Sequence, residues 1–228
     1  MRVYQLVLIA IVAGAALPIA LHHRAYGSFD ADQIAVASFL WLNVIIALWE
    51  LCLFFRIDHI AEQSARFKVE YKGRELDRVV DYFGTKVPFA RILSPTLWAE
   101  IWSSYSVFDE SYADRKSFGF AIDVGNGFTT LAPALLCIYG ITFHFIAARA
   151  LGLVLLILNY QMWYGTLVYF GTFVLNKRYV GHTRRNLILF VAATNGAWFT
   201  LPLWGMYAAL TMIYTNGYSI FTLEGFHP

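Results

Sequence analysis

Charged side chains are scarce in this sequence. Aspartate, glutamate, lysine and arginine together make up 14% of its 228 residues, where a soluble domain carries roughly 25% to keep a solvated shell. Cysteine is nearly absent too. Cys52 and Cys137 stand in neither a C-x-x-C nor a histidine-paired spacing, so they read as small buried hydrophobes rather than as a disulfide or metal framework. The sequence has no G-x-x-x-x-G-K phosphate loop, no H-E-x-x-H and no G-x-S-x-G, which removes the common nucleotide, zinc-protease and hydrolase signatures. Short alternating segments between turns are missing, and with them a membrane β-barrel. A repeat-built transporter would show two similar halves, and no such symmetry is visible. No metal and no organic cofactor is expected.

What is abundant is apolar surface. Hydrophobic residues reach 59% and aromatic residues 18%, gathered into five blocks at 3–21, 34–55, 118–145, 151–175 and 187–214. Each approaches or exceeds the ~20 residues needed to cross a hydrocarbon core. The first block starts after Arg2 and holds small residues at 13–16, as a signal peptide would. Its apolar run is longer than a signal core, however, and Pro18 and His22-His23-Arg24 follow without a clear cleavage pattern. It reads as a retained helix. The expected fold is all-α, a polytopic membrane bundle of five transmembrane helices forming a single membrane domain over 1–228.

The net charge of +2 says little, but its distribution says more. With five spans, the N-terminus and the loops after the second and fourth helices lie on one side. That side collects 15 of the 17 lysines and arginines, leaving Arg24 and Arg149 opposite. The positive-inside rule then expects a cytoplasmic N-terminus. The membrane itself would be the endoplasmic reticulum in a eukaryote and the plasma or inner membrane otherwise.

The one extended polar stretch is 56–117. Val69, Leu76, Val79, Val80 and Phe83 recur at helical intervals, predicting a helix over 68–83 that Gly84 ends. Ser94-Pro95 predicts the start of a second helix. Leu97, Trp98, Ile101, Trp102, Tyr105 and Phe108 give it an aromatic stripe, suited to the membrane interface or to the protein's own surface.

Polar residues inside hydrocarbon-length helices are costly and mark candidate sites. Glu50 sits in W-E-L-C-L-F-F, with Asn43 two turns earlier on the same face. A carboxylic acid held away from water is a ready proton donor. Asp123 opens the third block and either favours a helix start or pairs with Glu50. The segment Asp123-Val-Gly-Asn126-Gly127 reads as a loosened helix start, and Asn126 joins the substrate-binding candidates. The fourth block offers Asn159, Gln161, Tyr164 and Tyr169, and the fifth Asn195 and Trp198, as amides and rings for a lined pocket. His144 has no ligand-spaced partner and reads as an interfacial histidine. An acid pair with amides and π faces suits protonation of an alkene or epoxide in a lipophilic substrate, with rings stabilising the cation and water kept out.

The motifs Asn195-Gly-Ala-Trp198-Phe-Thr-Leu-Pro202 and Gln161-Met-Trp-Tyr164-Gly165-Thr166-Leu-Val-Tyr169-Phe170 resemble signatures of the emopamil-binding protein family. That EXPERA-domain group contains the sterol Δ8–Δ7 isomerases and the sigma-2 receptor. A softer likeness runs from Leu97-Trp98-Ala-Glu100 to Ser111-Tyr112, before Pro133, and Glu50 stands where the family has a helix-two glutamate. The likeness spans about 34–214. Ile46 replaces the histidine that the sterol isomerases carry four residues before that glutamate. Val124 falls at the second catalytic glutamate, one position from Asp123, and Thr166 replaces an aspartate. The resemblance implies a lipophilic pocket. The expected activity is a cofactor-independent isomerase or cyclase on a sterol-, terpenoid- or polyketide-like substrate, with Glu50 and Asp123 catalytic. The alternative is a non-catalytic sterol- or lipid-binding protein. Partners expected are that small molecule and membrane lipid; a homodimer is left open, and nucleic acid is not expected.

Overall fold

Asp30 starts the second helix: its carboxylate accepts the Gln33 N–H at 2.9 Å, an N-terminal cap for a donor that the helix itself leaves unpaired. The computed structural model describes residues 1–222, and regular structure among them is helical. Four helices are long and apolar enough to cross a membrane: α1 (Val3–Tyr26), α2 (Ala31–Phe55), α6 (Phe118–Phe143) and α7 (Ala148–Leu175). Between α2 and α6 lie α3 (Ile57–Glu70), α4 (Glu75–Gly84) and α5 (Pro95–Tyr105). After α7 come a single turn, α8 (Arg184–Asn186), a π-helical stretch over Leu187–Ala192, and α9 (Ala193–Thr215). At 23 residues α9 has the length of a span. Asn195, Gly196, Thr200, Pro202, Trp204 and Gly205 dilute its apolarity below that of the other four.

The expected helix over 68–83 is two helices. The chain turns between Tyr71 and Arg74, where Gly73 adopts a φ of +75° that favours glycine. Gly84 does end α4. The apolar spacing misled because the helix buries a different set of residues. Val69 and Val80 are exposed, whereas Tyr82 and Arg78 are buried. The Arg78 guanidinium lies 3.9 Å from the Phe67 ring centroid and donates to Glu100. The Ser94-Pro95 start of α5 holds, with proline in the first turn. Its tryptophans bond to the protein itself: Trp98 Nε1 donates to the Ile92 carbonyl and Trp102 Nε1 to that of Trp49, both at 2.7 Å.

The chain packs as two compact units. The first comprises Met1–Ile9, Ala47–Phe128 and Leu167–Gly196. Here the N-terminus pairs with the loop after α4, through Val3 N–H to Thr85 O at 3.1 Å and Val87 N–H to Met1 O at 2.8 Å. Leu53, Ile57, Ile60, Tyr112, Tyr169 and Phe173 build its core. The second comprises Ala10–Ile46, Thr129–Thr166 and the chain from Ala197, around a core that includes Leu40, Ile141, Leu151, Leu155 and Met212. The segments 1–2, 56–117 and 176–183, which carry most of the positive charge, all fall in the first unit.

Candidate active site in the first unit

Two helices cross closely at Glu50. A Cβ placed on Gly127 of α6 would stand 2.9 Å from the Glu50 Cβ and 3.1 Å from the Leu51 nitrogen of α2. Only a residue without a side chain admits that approach. Asp123 lies one turn earlier on α6, close enough for its charge and that of Glu50 to repel, and the Asn126 amide donates to Glu50. The expected loosened helix start at Asp123–Gly127 is instead regular helix within α6. Gly127 serves the helix crossing rather than a loop. Glu50 is buried at 5% exposure and Asp123 is half-buried, so the two acids and the Asn126 amide stand on two membrane-length helices near one crossing.

A cluster of tyrosines gathers in the same unit, with Tyr112 near Asp123. Tyr112 is buried, with ring centroids at 5.0 Å from Tyr105, 5.1 Å from Trp102 and 6.4 Å from Tyr169. Burial holds its phenol well above the ordinary range, and the neighbouring Asp123 charge adds to that shift. Asn195 follows the π-helical stretch and donates to the Tyr105 hydroxyl at 3.2 Å and to the Val191 carbonyl at 2.8 Å. Such π-helical insertions recur at functional sites. The first unit therefore assembles Glu50, Asp123, Asn126, Tyr169 and Asn195 from the expected set.

Asp109 is the residue that the sequence reading missed. It is 1% exposed, and its Oδ1 accepts from the Ser111 N–H at 3.0 Å and from Arg178. Its charge reaches Asp123. An acid followed two residues later by serine, at the end of an aromatic stripe, is the only signal that could have drawn attention to it. Arg178, 69 residues on, supplies the countercharge.

No protein-family model, curated protein or solved structure matches this chain. The likeness to the emopamil-binding family accordingly rests on the quoted motifs alone.

The other expected site residues lie in the second unit and have partners of their own. Asn43 is buried, donates to Phe39 O at 2.8 Å, and accepts from Trp198 Nε1 at 2.8 Å. Asn159 is buried and donates to Leu155 O at 2.8 Å. Gln161 donates to Thr129 Oγ1 at 2.7 Å. Tyr164 is 51% exposed and stacks on Tyr160, one turn away on the outer face of α7. The i, i+4 spacing puts those two rings side by side on a face that packing leaves open. His144, by contrast, is held between rings, 4.2 Å from Tyr26 and 4.0 Å from Tyr218. Among the described residues no group of three or more metal-ligating side chains converges.

Proposed function

We propose that the chain is an intramembrane acid–base isomerase or cyclase acting on a lipophilic sterol-, terpenoid- or polyketide-like substrate without a cofactor. The observation that carries this reading is the Glu50–Asp123 carboxyl pair, fixed by the Gly127 crossing and by the Asn126 amide. Two carboxyl groups in repulsive range tend to hold one proton between them. That arrangement suits delivery of a proton to an alkene or epoxide and removal of another from the resulting cation. In this reading Glu50 is the donor and Asp123 the partner base, while the Tyr105, Tyr112 and Tyr169 cluster supplies π faces beside the pair. The emopamil-binding likeness of the Gln161–Phe170 and Asn195–Pro202 motifs supports the substrate class.

The same reading takes α9 as a fifth span, with the N-terminus in the cytoplasm. Its support is the charge bias and the gathering of the N-terminus with 56–117 and 176–183 in one unit.

The test is incubation of the purified protein in D2O with a Δ8-sterol and, separately, with 2,3-oxidosqualene. Turnover of the sterol is expected to leave a solvent deuterium on carbon, detected by mass spectrometry. Opening of the epoxide instead delivers its deuteron to an exchangeable hydroxyl and is detected as a cyclised isomer resolved by chromatography. Glu50→Gln should abolish both while leaving the detergent-extracted protein monodisperse. Full incorporation in that variant would remove Glu50 from the chemistry. A second reading, a non-catalytic lipid binder, is favoured by Ile46, where the sterol isomerases carry a histidine. Saturable binding of the sterol with no deuterated product would select it.

A further inference from the structure

A polar cleft of about 350 Å³ opens on the first unit, lined among others by Ser64, Lys68, Glu110, Ser111, Asp114 and Arg178. Its two cations come from different parts of the chain. Lys68, near the end of α3, stands 2.9 Å from Glu110, and Arg178, beyond α7, donates to Asp109. An ammonium has three donors and a guanidinium five, so each cation can serve a ligand while keeping its carboxylate. Two serines on the wall point to such a ligand. Ser64 and Ser111 are each 2% exposed, and neither hydroxyl has a hydrogen-bond partner among the described residues. A buried hydroxyl left unbonded is costly, and a molecule with acceptor oxygens would satisfy both. Glu110 and Asp114 are exposed at the same cleft, so a simple anion would meet as many negative charges as positive ones. A ligand carrying both signs matches this lining.

The position of the cleft narrows the class further. Asp114 stands four residues before Phe118, the first residue of α6, and Arg178 three residues after Leu175, the last of α7. Both helices have the length and apolarity of spans, so these two side chains stand in the headgroup layer that borders the hydrocarbon core. Phe118 shares a small neighbouring cavity with Ser111 and Arg178. Phe118 and Leu175 are both exposed, which puts open apolar surface beside a charged cleft.

We propose that this cleft binds the headgroup of a phospholipid that carries a primary ammonium, of the phosphoethanolamine kind. The phosphate oxygens accept from Lys68, Arg178 and the hydroxyls of Ser64 and Ser111, and the ammonium donates to Asp114 and Glu110. The acyl chains run beside Phe118 and Leu175. A choline headgroup has no N–H for the carboxylates, and a glycerol headgroup brings no positive charge to them. The site is separate from the Glu50–Asp123 pair and holds whether or not that pair is catalytic.

The experiment titrates the full-length protein in detergent with ethanolamine, choline and glycerol phospholipids of identical acyl chains, and reads the bound fraction by native mass spectrometry. The ethanolamine lipid is expected to bind on the order of tenfold more tightly than the other two, the weight of one hydrogen bond to a charged group. Lys68→Gln should weaken it by about the same factor. So should Ser64→Ala combined with Ser111→Ala, and the lipid-free form of that double variant should melt no lower than wild type, because it loses two unbonded hydroxyls. Glu110→Gln combined with Asp114→Asn should bring the ethanolamine and choline lipids level. A last arm adds water-soluble phosphoethanolamine as competitor, which should displace the lipid only in large excess. Equal binding of the three lipids by the wild type would overturn the proposal, as would tightest binding of the glycerol lipid. Unaltered binding in both Lys68→Gln and the serine double variant would move the lipid elsewhere on the protein. Displacement by equimolar phosphoethanolamine would overturn the membrane source and give the cleft to a soluble ligand.

Discussion

Gly127 and Glu50 share one crossing point, with the glycine Cα where a side chain would collide with both the Cβ of the glutamate and the α2 backbone. Two of the three nearest atoms are backbone, so they cannot rotate away. Gly127→Ala is therefore expected to push α2 from α6 at the carboxyl pair. Overpacking of this kind costs about 1–3 kcal/mol. A lowered unfolding midpoint in detergent is the measurement. An alanine variant as stable as wild type would show that the helices can separate there at no cost.

Asn43 and Trp198 form a half-buried pair between α2 and α9, with the indole N–H donating to the amide oxygen at 2.8 Å. Trp198→Phe should leave Asn43 Oδ1 without that donor. Comparing Trp198→Phe, Asn43→Leu and the double variant isolates the bond. In membrane helices such couplings average about 0.6 kcal/mol, with a ceiling near 1.7. Additive single effects would mean that the bond contributes nothing, and that the tryptophan in the N-x-x-W motif acts through its bulk alone.

How far the sequence could be read follows from what each signal depends on. The long helices α1, α2, α6 and α7 were legible because a hydrocarbon-length apolar run depends only on composition along the chain. Glu50 stood out for the same reason, being an acid in such a run. Its pairing with Asp123 was one of two readings, and the crossing at Gly127, which brings α6 against α2 at Glu50, is not encoded in either helix alone. Asp109 and Tyr112 were not legible as site residues. Their surroundings depend on ring contacts with Trp102, Tyr105 and Tyr169 and on Arg178, far along the chain. The exposure of Tyr164 was not legible, because an aromatic residue in a membrane helix carries no mark of the face it occupies. The split between α3 and α4 was hidden because periodicity continued across Gly73, whose φ of +75° the pattern does not encode.

His144 predicts a pH dependence. It lies just beyond α6, and its pKa is lowered to about 4, first by burial, then by His22 beside it, with a backbone hydrogen bond to Ile141 opposing. The folded chain thus binds fewer protons at this site than the unfolded chain below pH 6.5. Stability is therefore fully present above that value and declines as pH falls toward 4. Thermal midpoints in detergent from neutral pH downward should fall. His144→Asn, which tolerates the φ of 52° found there, should flatten that decline. An equally steep decline in the variant would assign it to other groups.

The side of the membrane on which each loop lies can be read by cysteine labelling, in a background with Cys52 and Cys137 replaced by alanine. Single cysteines at Val69, Val80 and Val180 occupy exposed positions in the first unit, whereas Phe145 and Tyr214 are exposed positions in the second. In intact cells a membrane-impermeant maleimide should label the cysteines at positions 145 and 214 and spare the other three until the membrane is permeabilised. The position at 214 decides the count of spans. If α9 crosses, it labels together with 145. If α9 turns back, it labels together with 180. Reversal of all five positions would keep five spans and invert the orientation, and would mean that the 15 basic residues of one side do not govern insertion here.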